Sequence, residues 1–300
     1  MKIIVIAGGS GFLGQVLKAY FRKKGYIVKI LTRNPKKEND VYWNAKDLEK
    51  WTEELENIEA LINLTGKSVD CRYTIKNKRL IYDSRIDSTN ILGLAINLCQ
   101  NPPKVWINMS TATIYKHSLE KEMTEENGET GNDFSMNIAK SWEKVFNSIN
   151  NIKTRKIIIR TSIVLGKHGG AIIPLTKLTN LGLGGKQGFG NQKLSWIHEE
   201  DFSRAIEFLI TNKNLNGVFN LSVPKPTDNS TLMKSLRNIL KIPFGISHPK
   251  LLLELGAKII GTETELVLKS RNVIPKRLLD NGFSFKFKNI KAALDDLLIK

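Results

Sequence analysis

The sequence predicts an α/β protein, a doubly wound parallel sheet followed by a smaller α-rich C-terminal domain. Three observations predict it. Strand-like runs that are apolar on both faces alternate with segments of helical periodicity up to residue 165. A glycine-rich turn lies between the first strand and the first helix. After Gly166 the alternation gives way to glycine-rich loops and helical segments. At 300 residues the chain fits about two domains. They divide as 1–165 and 166–300, with some exchange of segments between them.

Lys2–Ala7 is a β-branched run without a polar face, as a buried parallel strand requires. Leu13, Val16, Leu17, Tyr20 and Phe21 recur at helical spacing, and Gly25 stops that helix. Ile27–Thr32 is a second strand; a weak region near Trp43 precedes a short helix ending at Glu56-Asn57. Glu59–Leu64 reads as a strand and Thr74–Cys99 as a long helix, broken by Pro102-Pro103. Lys104–Met109 is the next strand. Phe134, Ile138, Trp142, Val145 and Ile149 mark another helix, and Lys156–Leu165 another strand. Beyond Gly166, glycine loops bracket a helical stretch. Trp196-Ile197-His198 then leads into a helix through Phe202, Ala205, Ile206 and Leu209. Gly217–Leu221 reads as a strand, and Ser230–Leu240, Leu251–Lys269 and Ile290–Ile299 as helices. The β-α alternation implies right-handed crossovers.

Composition narrows the function. Hydrophobic content of 41% with 25% charged residues is globular, and no apolar stretch reaches membrane-spanning length. Cys71 and Cys99 are the only cysteines, in no metal-like spacing. A disulfide framework is excluded, no metal site is expected, and a reducing cytoplasm is the simplest compartment. Lys and Arg number 46 against 29 Asp and Glu, giving +17. Their clusters sit on separate segments without interleaved aromatics, so neither a nucleic-acid nor a membrane partner is expected. An anionic small ligand suits this field.

Gly8-Gly9-Ser10-Gly11-Phe12-Leu13-Gly14 carries the strongest chemical signal. It satisfies G-x-x-G-x-x-G through Gly8, Gly11 and Gly14, and G-x-G-x-x-G through Gly9, Gly11 and Gly14. Glycine permits positive φ and close approach of backbone to a pyrophosphate, and the following helix N-terminus offers unpaired N–H groups. With a strand before and a helix after, the turn predicts a dinucleotide site of the Rossmann type. The second strand ends Leu31-Thr32-Arg33. An NAD site places a carboxylate there for the ribose 2′-OH, whereas an arginine accommodates a 2′-phosphate. Arg33, with the Thr32 hydroxyl, predicts NADP(H); the competing reading is a solvated surface arginine.

The chain resembles the atypical extended short-chain dehydrogenase/reductase proteins usually labelled epimerase family, NAD-dependent epimerase/dehydratase-like with a dedicated C-terminal domain. The resemblance is carried by residues 8–14, Leu61-Ile62-Asn63-Leu64-Thr65-Gly66, Asp83-Ser84-Arg85, Trp142-Glu143 and Arg160-x-x-x-Val164-Leu165-Gly166. It continues through Gly182-Leu183-Gly184-Gly185, Ser195-Trp196-Ile197-His198-x-x-Asp201, Val273-Ile274-Pro275-Lys276-Arg277-Leu278 and Gly282-Phe283. It implies an NADP-binding Rossmann domain plus a substrate domain. It also implies cofactor contacts at Thr32, Arg33, Leu64, Thr65, Gly66, Arg85 and Val164. For Arg85 a helix-surface salt bridge is the alternative.

Enzymes of this type hold the substrate oxygen with a Ser or Thr hydroxyl and move its proton with a Tyr-x-x-x-Lys pair. A tyrosine near pKa 10 needs a neighbouring cation to act as a base at neutral pH. Ser110-Thr111 resembles the hydroxyl segment, with Thr111 at the catalytic position. Met136-Asn137-Ile138-Ala139-Lys140 keeps the lysine, Lys140, but has methionine for tyrosine. Tyr115 is the substitute phenol within reach in sequence. Two functions follow: an NADP(H)-dependent oxidoreductase or epimerase on a hydroxyl or carbonyl substrate, nucleotide-linked substrates included; or a non-catalytic NADP(H)-binding sensor or regulator. A substrate pocket is expected between Thr111 and the 182–201 segment, with Trp196 as an apolar face and His198 as a polar tip; alternatively the two lock that loop to the sheet. Asp201 reads as the cap of the following helix.

Overall fold

The computed structural model describes residues 2–151, 153–249, 252–254, 263 and 268–299. The helix expected over Leu251–Lys269 lies largely outside the described residues. Seven parallel strands form the main sheet: β1 (Ile3–Ala7), β2 (Ile27–Thr32), β3 (Asp40–Tyr42), β4 (Ala60–Asn63), β5 (Val105–Thr111), β6 (Arg155–Thr161) and β11 (Gly217–Leu221). Their spatial order is β11-β6-β5-β4-β1-β2-β3. The chain starts at β1, winds outward to β3, then returns past β1 to β4, so the order reverses between β1 and β4. Ligands of such sheets bind outside the strand carboxyl ends at that reversal.

Alternate residues of these strands serve opposite layers. Ile4, Ile6, Ile30, Ile62, Ile107 and Ile159 pack into one buried cluster with α1 (Phe12–Lys23) and α5 (Glu199–Thr211). Val5, Ala7, Leu31, Leu61, Trp106 and Ile158 pack into the other with α2 (Ile75–Leu98) and α3 (Phe134–Ser148). Burial on both faces is why these strands carry no polar alternation. α2 starts where Thr74 accepts from the Asn77 N–H, and α3 where Asp133 accepts from the Met136 N–H.

The strand expected over Lys156–Leu165 is two strands. Ser162 breaks it, its N–H and hydroxyl both donating to the Leu221 carbonyl at 3.0 and 2.8 Å. β7 (Ile163–Gly166) then leaves the main sheet and pairs with β8 (Gly169–Gly170) and β10 (Trp196–His198). β9 (Lys193–Leu194) pairs with β12 (Thr227–Asp228). These short sheets, α4 (Ile172–Leu178), α6 (Asn229–Leu240), α7 (Lys276–Asp280) and α8 (Ile290–Leu298) make up the described part of the C-terminal region. A separate core joins Leu165, Trp196, Leu236, Phe287 and Leu294. Through β11 and α5 the second half also completes the main sheet and its cover.

Candidate dinucleotide cleft

The glycine turn is built by three different constraints. Gly8 has φ +71°, and a Cβ there would sit 2.9 Å from the Thr65 Cα and Oγ1. At Gly14 a Cβ would overlap the backbone of Gly9, so this glycine sets how closely α1 meets the turn. Gly11 is different. Its φ is −76°, open to any residue, and a Cβ there would meet nothing within 4 Å. Among the described residues it alone is a glycine with neither positive φ nor a crowding neighbour. The protein's own packing therefore gives no steric reason for glycine at 11; it is a favoured N-cap residue of α1, and it leaves the backbone there open to an outside group. α1 also begins at Gly11 with no side-chain cap and no acid in its first turn, leaving its N–H groups free of a side-chain acceptor. Gln15 Nε2, not anticipated from sequence, donates to the Gly9 carbonyl at 2.7 Å and braces the turn. Ser10 is exposed on it, Leu13 reaches the cleft below, and Phe12 packs against Gly166 and Gly169.

At the tip of β2, Arg33 is exposed and makes no hydrogen bond or ion pair with the described residues. The Thr32 hydroxyl accepts from the Asn34 N–H at 3.3 Å and keeps its own proton to donate. Asp40, which opens the adjacent strand β3 level with Ile30, is already occupied: Lys18 pairs with it at 3.0 Å, and the Lys36 and Lys37 N–H groups donate to its other oxygen. Burial works against its charge, but these donors hold its carboxyl below the usual carboxylate range.

A cleft of about 260 Å³ opens along the carboxyl ends of β4, β5 and β6. Thr65, Gly66, Thr111 and Thr161 line it. The Thr65 N–H donates to the Asn63 side chain at 3.0 Å, while the buried Thr65 hydroxyl has no partner among the described residues. Asn63 donates in turn to Asn108 at 2.7 Å, a buried link between β4 and β5. Arg85 reaches the cleft from α2. Its guanidinium lies 5.1 Å from the Trp142 ring, and one nitrogen donates to the Lys67 and Ile81 carbonyls at 3.1 and 2.9 Å. No carboxylate among the described residues pairs with it, so the salt-bridge alternative is not what the structure shows. Burial lowers its pKa to about 10, which leaves it charged at neutral pH. Leu64 lines the same wall. Val164 faces the main core instead.

The opposite wall comes from α3 and the segment before α2. Phe134, Ile138 and Trp142 face the cleft at i, i+4 spacing, joined by Ser135 and Tyr73. Position 136 is two residues off this stripe: Met136 is buried, its sulfur beside Gly131. Lys140 likewise turns away and donates to the Asn132 side chain at 2.7 Å. The face that α3 turns to the cleft carries phenyl, butyl and indole groups and neither a phenol nor an ammonium. Tyr115 does not replace them. Its hydroxyl donates to Asn220 at 2.9 Å and accepts from Arg160 at 2.8 Å, with no exposed surface, and burial pushes its pKa up. Thr111 does line the cleft, its hydroxyl 2.9 Å from that of Thr113. Beside it, Ser110 donates to Glu143 at 2.6 Å, and Glu143 is held two-pronged by Arg160 at 2.9 and 2.7 Å. The Trp142-Glu143 and Arg160 motifs thus frame the cleft from behind.

Residues 182–201 do not form the opposite wall of this cleft. Gly182, Gly185 and Gly188 bond to the backbone of residues 246–248, and Trp196 is buried in the C-terminal core. His198 stacks on Phe287 with ring centroids 3.8 Å apart, and its Nδ1 accepts from the Glu200 N–H, capping α5. Asp201, expected as that cap, is instead fully buried and accepts from the Lys286 and Phe287 N–H groups. Burial lowers the His198 pKa below its usual 6.5, outweighing Asp296 at 3.4 Å. The unfolded chain then binds the extra proton, so stability falls as pH drops through about 6.5. His198→Gln should flatten the dependence of melting temperature on pH between 7 and 5; an unchanged slope contradicts this.

Sheet order, glycine turn and cleft define a doubly wound dinucleotide-binding protein. The chain belongs to the NAD dependent epimerase/dehydratase family, whose model matches residues 4–222. A domain of unknown function, DUF1731, matches residues 248–297. The epimerase family protein YfhF of Bacillus subtilis is 33% identical over 98% of this chain and 97% of its own. The epimerase family protein SAB0724c of Staphylococcus aureus is also 33% identical, with both chains covered in full. Among solved structures, human epimerase family protein SDR39U1, crystallised with NADPH, superimposes with a TM-score of 0.89 at 25% identity, covering 99% of each chain. UDP-N-acetylglucosamine 4-epimerase from Bacillus cereus, at 17% identity and a TM-score of 0.78 over 100% of this chain and 96% of its own, shares the fold. No helix among the described residues is long and apolar enough to cross a membrane.

Proposed function

We propose that the chain binds NADP(H) along the glycine turn and acts as an oxidoreductase or epimerase on a small hydroxyl or carbonyl compound, by a route that does not use Tyr-x-x-x-Lys. The observation that carries the cofactor reading is Arg33 at the β2 tip, exposed and without a hydrogen bond or ion pair to the described residues. The NADPH in the human relative's structure supports it. Gly11 and the unpartnered Thr65 hydroxyl fit a phosphate-bearing dinucleotide lying between them. Bound there, the nicotinamide supplies a hydride donor or acceptor. The chain's own residues do the rest: the α1 N-terminus and Arg33 hold phosphate charge, Arg85 adds a desolvated cation to the cleft, and Thr111 offers a hydroxyl to a substrate oxygen. Nucleotide-linked substrates are included, UDP-N-acetylglucosamine being the one for which the Bacillus cereus fold neighbour is named. Two free cysteines are consistent with a reducing cytoplasm.

Arg33→Ala should weaken NADPH binding by about ten- to a hundredfold, the worth of a charge-assisted hydrogen bond, and leave NADH within about twofold. Calorimetric titration of both nucleotides reads this. Equal losses for the two would show that Arg33 does not contact a 2′-phosphate.

A second reading, a non-catalytic NADP(H)-binding regulator, is favoured by α3, which turns Phe134, Ile138 and Trp142 to the cleft while Met136 and Lys140, the positions of the proton-transfer pair, point away. Absorbance of bound NADPH at about 340 nm against a panel of aldehydes, ketones and nucleotide sugars separates the two. Oxidation that Thr111→Val abolishes supports the enzyme; no oxidation across the panel supports the regulator.

A further inference from the structure

We infer that the C-terminal region carries a surface that docks on an anionic lipid bilayer, lying on it rather than crossing it. Two segments far apart in sequence build this surface. The helical turn Thr179–Leu183 continues α4, and the chain after it runs beside residues 246–248. The Ile246 N–H donates to the Gly182 carbonyl at 2.9 Å, the Gly185 N–H to the Ile246 carbonyl at 3.1 Å, and the Gly188 N–H to the His248 carbonyl at 2.8 Å. This pairing leaves large apolar side chains on the outside. Leu181 is 74% exposed, Phe244 63% and Ile246 56%. The Phe244 ring lies 3.0 Å from where a Cβ on Gly182 would stand, which sets it beside Leu181. Phe189, 84% exposed, follows the pairing at its other end, between Gly188 and Gly190, both at positive φ. Single exposed apolar residues are ordinary; several large ones on one paired segment mark an interaction surface.

Charge identifies what the surface meets. No Asp or Glu occurs from Gly166 to His198 or from Asn229 to Leu253, in a chain that has 29 of them. Lys177 precedes Leu181 by about one helical turn. Lys186 lies within the pairing, and Lys241 ends α6 just before Phe244. All three are exposed, and none makes an ion pair with the described residues. A second copy of this chain would bring the same cations against them, which opposes self-association. Nucleic acid is anionic too, but leucine and isoleucine give its bases no ring to stack on. Phenylalanines raised on glycine-flanked turns, with lysines around them, suit the boundary between headgroups and acyl chains. Apolar side chains insert there, and lysines meet the anionic headgroups. The expectation of no membrane partner came from lysines dispersed on separate segments; the fold gathers two of those segments onto one surface. None of these residues lines the dinucleotide cleft, so the inference stands apart from the cofactor reading.

The test is flotation of the full chain with vesicles of phosphatidylcholine alone, or of phosphatidylcholine with about a quarter phosphatidylglycerol. We expect binding to the second only. Replacing Leu181→Ser together with Phe244→Ser should weaken it by about tenfold or more. Reversing Lys177→Glu, Lys186→Glu and Lys241→Glu together should weaken it at least as much. The control reverses Lys23, Lys144 and Lys213, exposed around the main sheet, to Glu and should cost no more than about threefold. Every replaced side chain is exposed, so all variants should melt within about 2 °C of wild type. Failure of wild type to bind the anionic vesicles overturns the inference. So does a loss in the control equal to that at Lys177, Lys186 and Lys241, which would reduce the effect to net charge. Full binding by the serine variant overturns it as well, as does sedimentation in which wild type self-associates and only the serine variant is monomeric.

Discussion

The Gly11→Ala variant melts within about 2 °C of wild type and loses about a hundredfold or more in NADPH affinity. Stability is spared because φ at Gly11 is −76° and the added methyl meets no atom within 4 Å. Removing backbone freedom from the unfolded chain offsets whatever small cost remains. Binding is lost because the methyl stands where the pyrophosphate must approach the backbone at the α1 N-terminus. Gly14→Ala is the contrasting substitution. Its methyl overlaps the Gly9 backbone, which has no flexible end to move aside, and costs about 3 kcal/mol. A thermal melt without ligand paired with an NADPH titration separates the two glycines. A Gly11→Ala variant that binds NADPH normally would show that no phosphate approaches the backbone at that residue.

Glu143→Ala should destabilise the fold by about 3–5 kcal/mol, the cost of leaving a buried guanidinium unpaired. Glu143 and Arg160 retain only 9% and 12% of their side-chain exposure, and their pairing is two-pronged. The same carboxylate accepts from Ser110, and the same guanidinium lies 5.1 Å from the Tyr115 ring and donates to its hydroxyl. Losing Glu143 therefore loosens β5, β6 and the turn after β5 together. Replacing both charged residues, Glu143→Met with Arg160→Met, should cost less than either replacement alone. Denaturant unfolding of the four proteins of this cycle reads it. Additive losses would show that the pair is not coupled.

The parts of this molecule legible in sequence are those that local periodicity dictates. β1, β2 and α1 follow from a β-branched run, a glycine turn and a helical repeat that ends at Gly25, all within residues 2–32. Arg33 is legible because the β2 tip is a fixed address in this topology. Facing is not legible in the same way. Phe134, Ile138 and Trp142 signal a helix with an apolar stripe, yet nothing local says that the stripe lines a cleft while Met136 and Lys140 point elsewhere. Partners far apart in sequence are hidden as well. Tyr115 is bound by Asn220, 105 residues on, and Asp201 by the backbone at 286 and 287. His198 and Trp196, polar and aromatic in a glycine-rich neighbourhood, suggest a ligand surface. Contacts with Phe287 and the C-terminal core bury them instead.

That the glycine turn and Arg33 together hold a 2′-phosphorylated dinucleotide is the claim on which the proposed chemistry depends. Isothermal titration of wild-type protein with NADPH and, separately, with NADH tests it most directly. The expected result is a single site that binds NADPH about ten- to a hundredfold more tightly than NADH. Equal affinities, or no binding of NADPH, would contradict it.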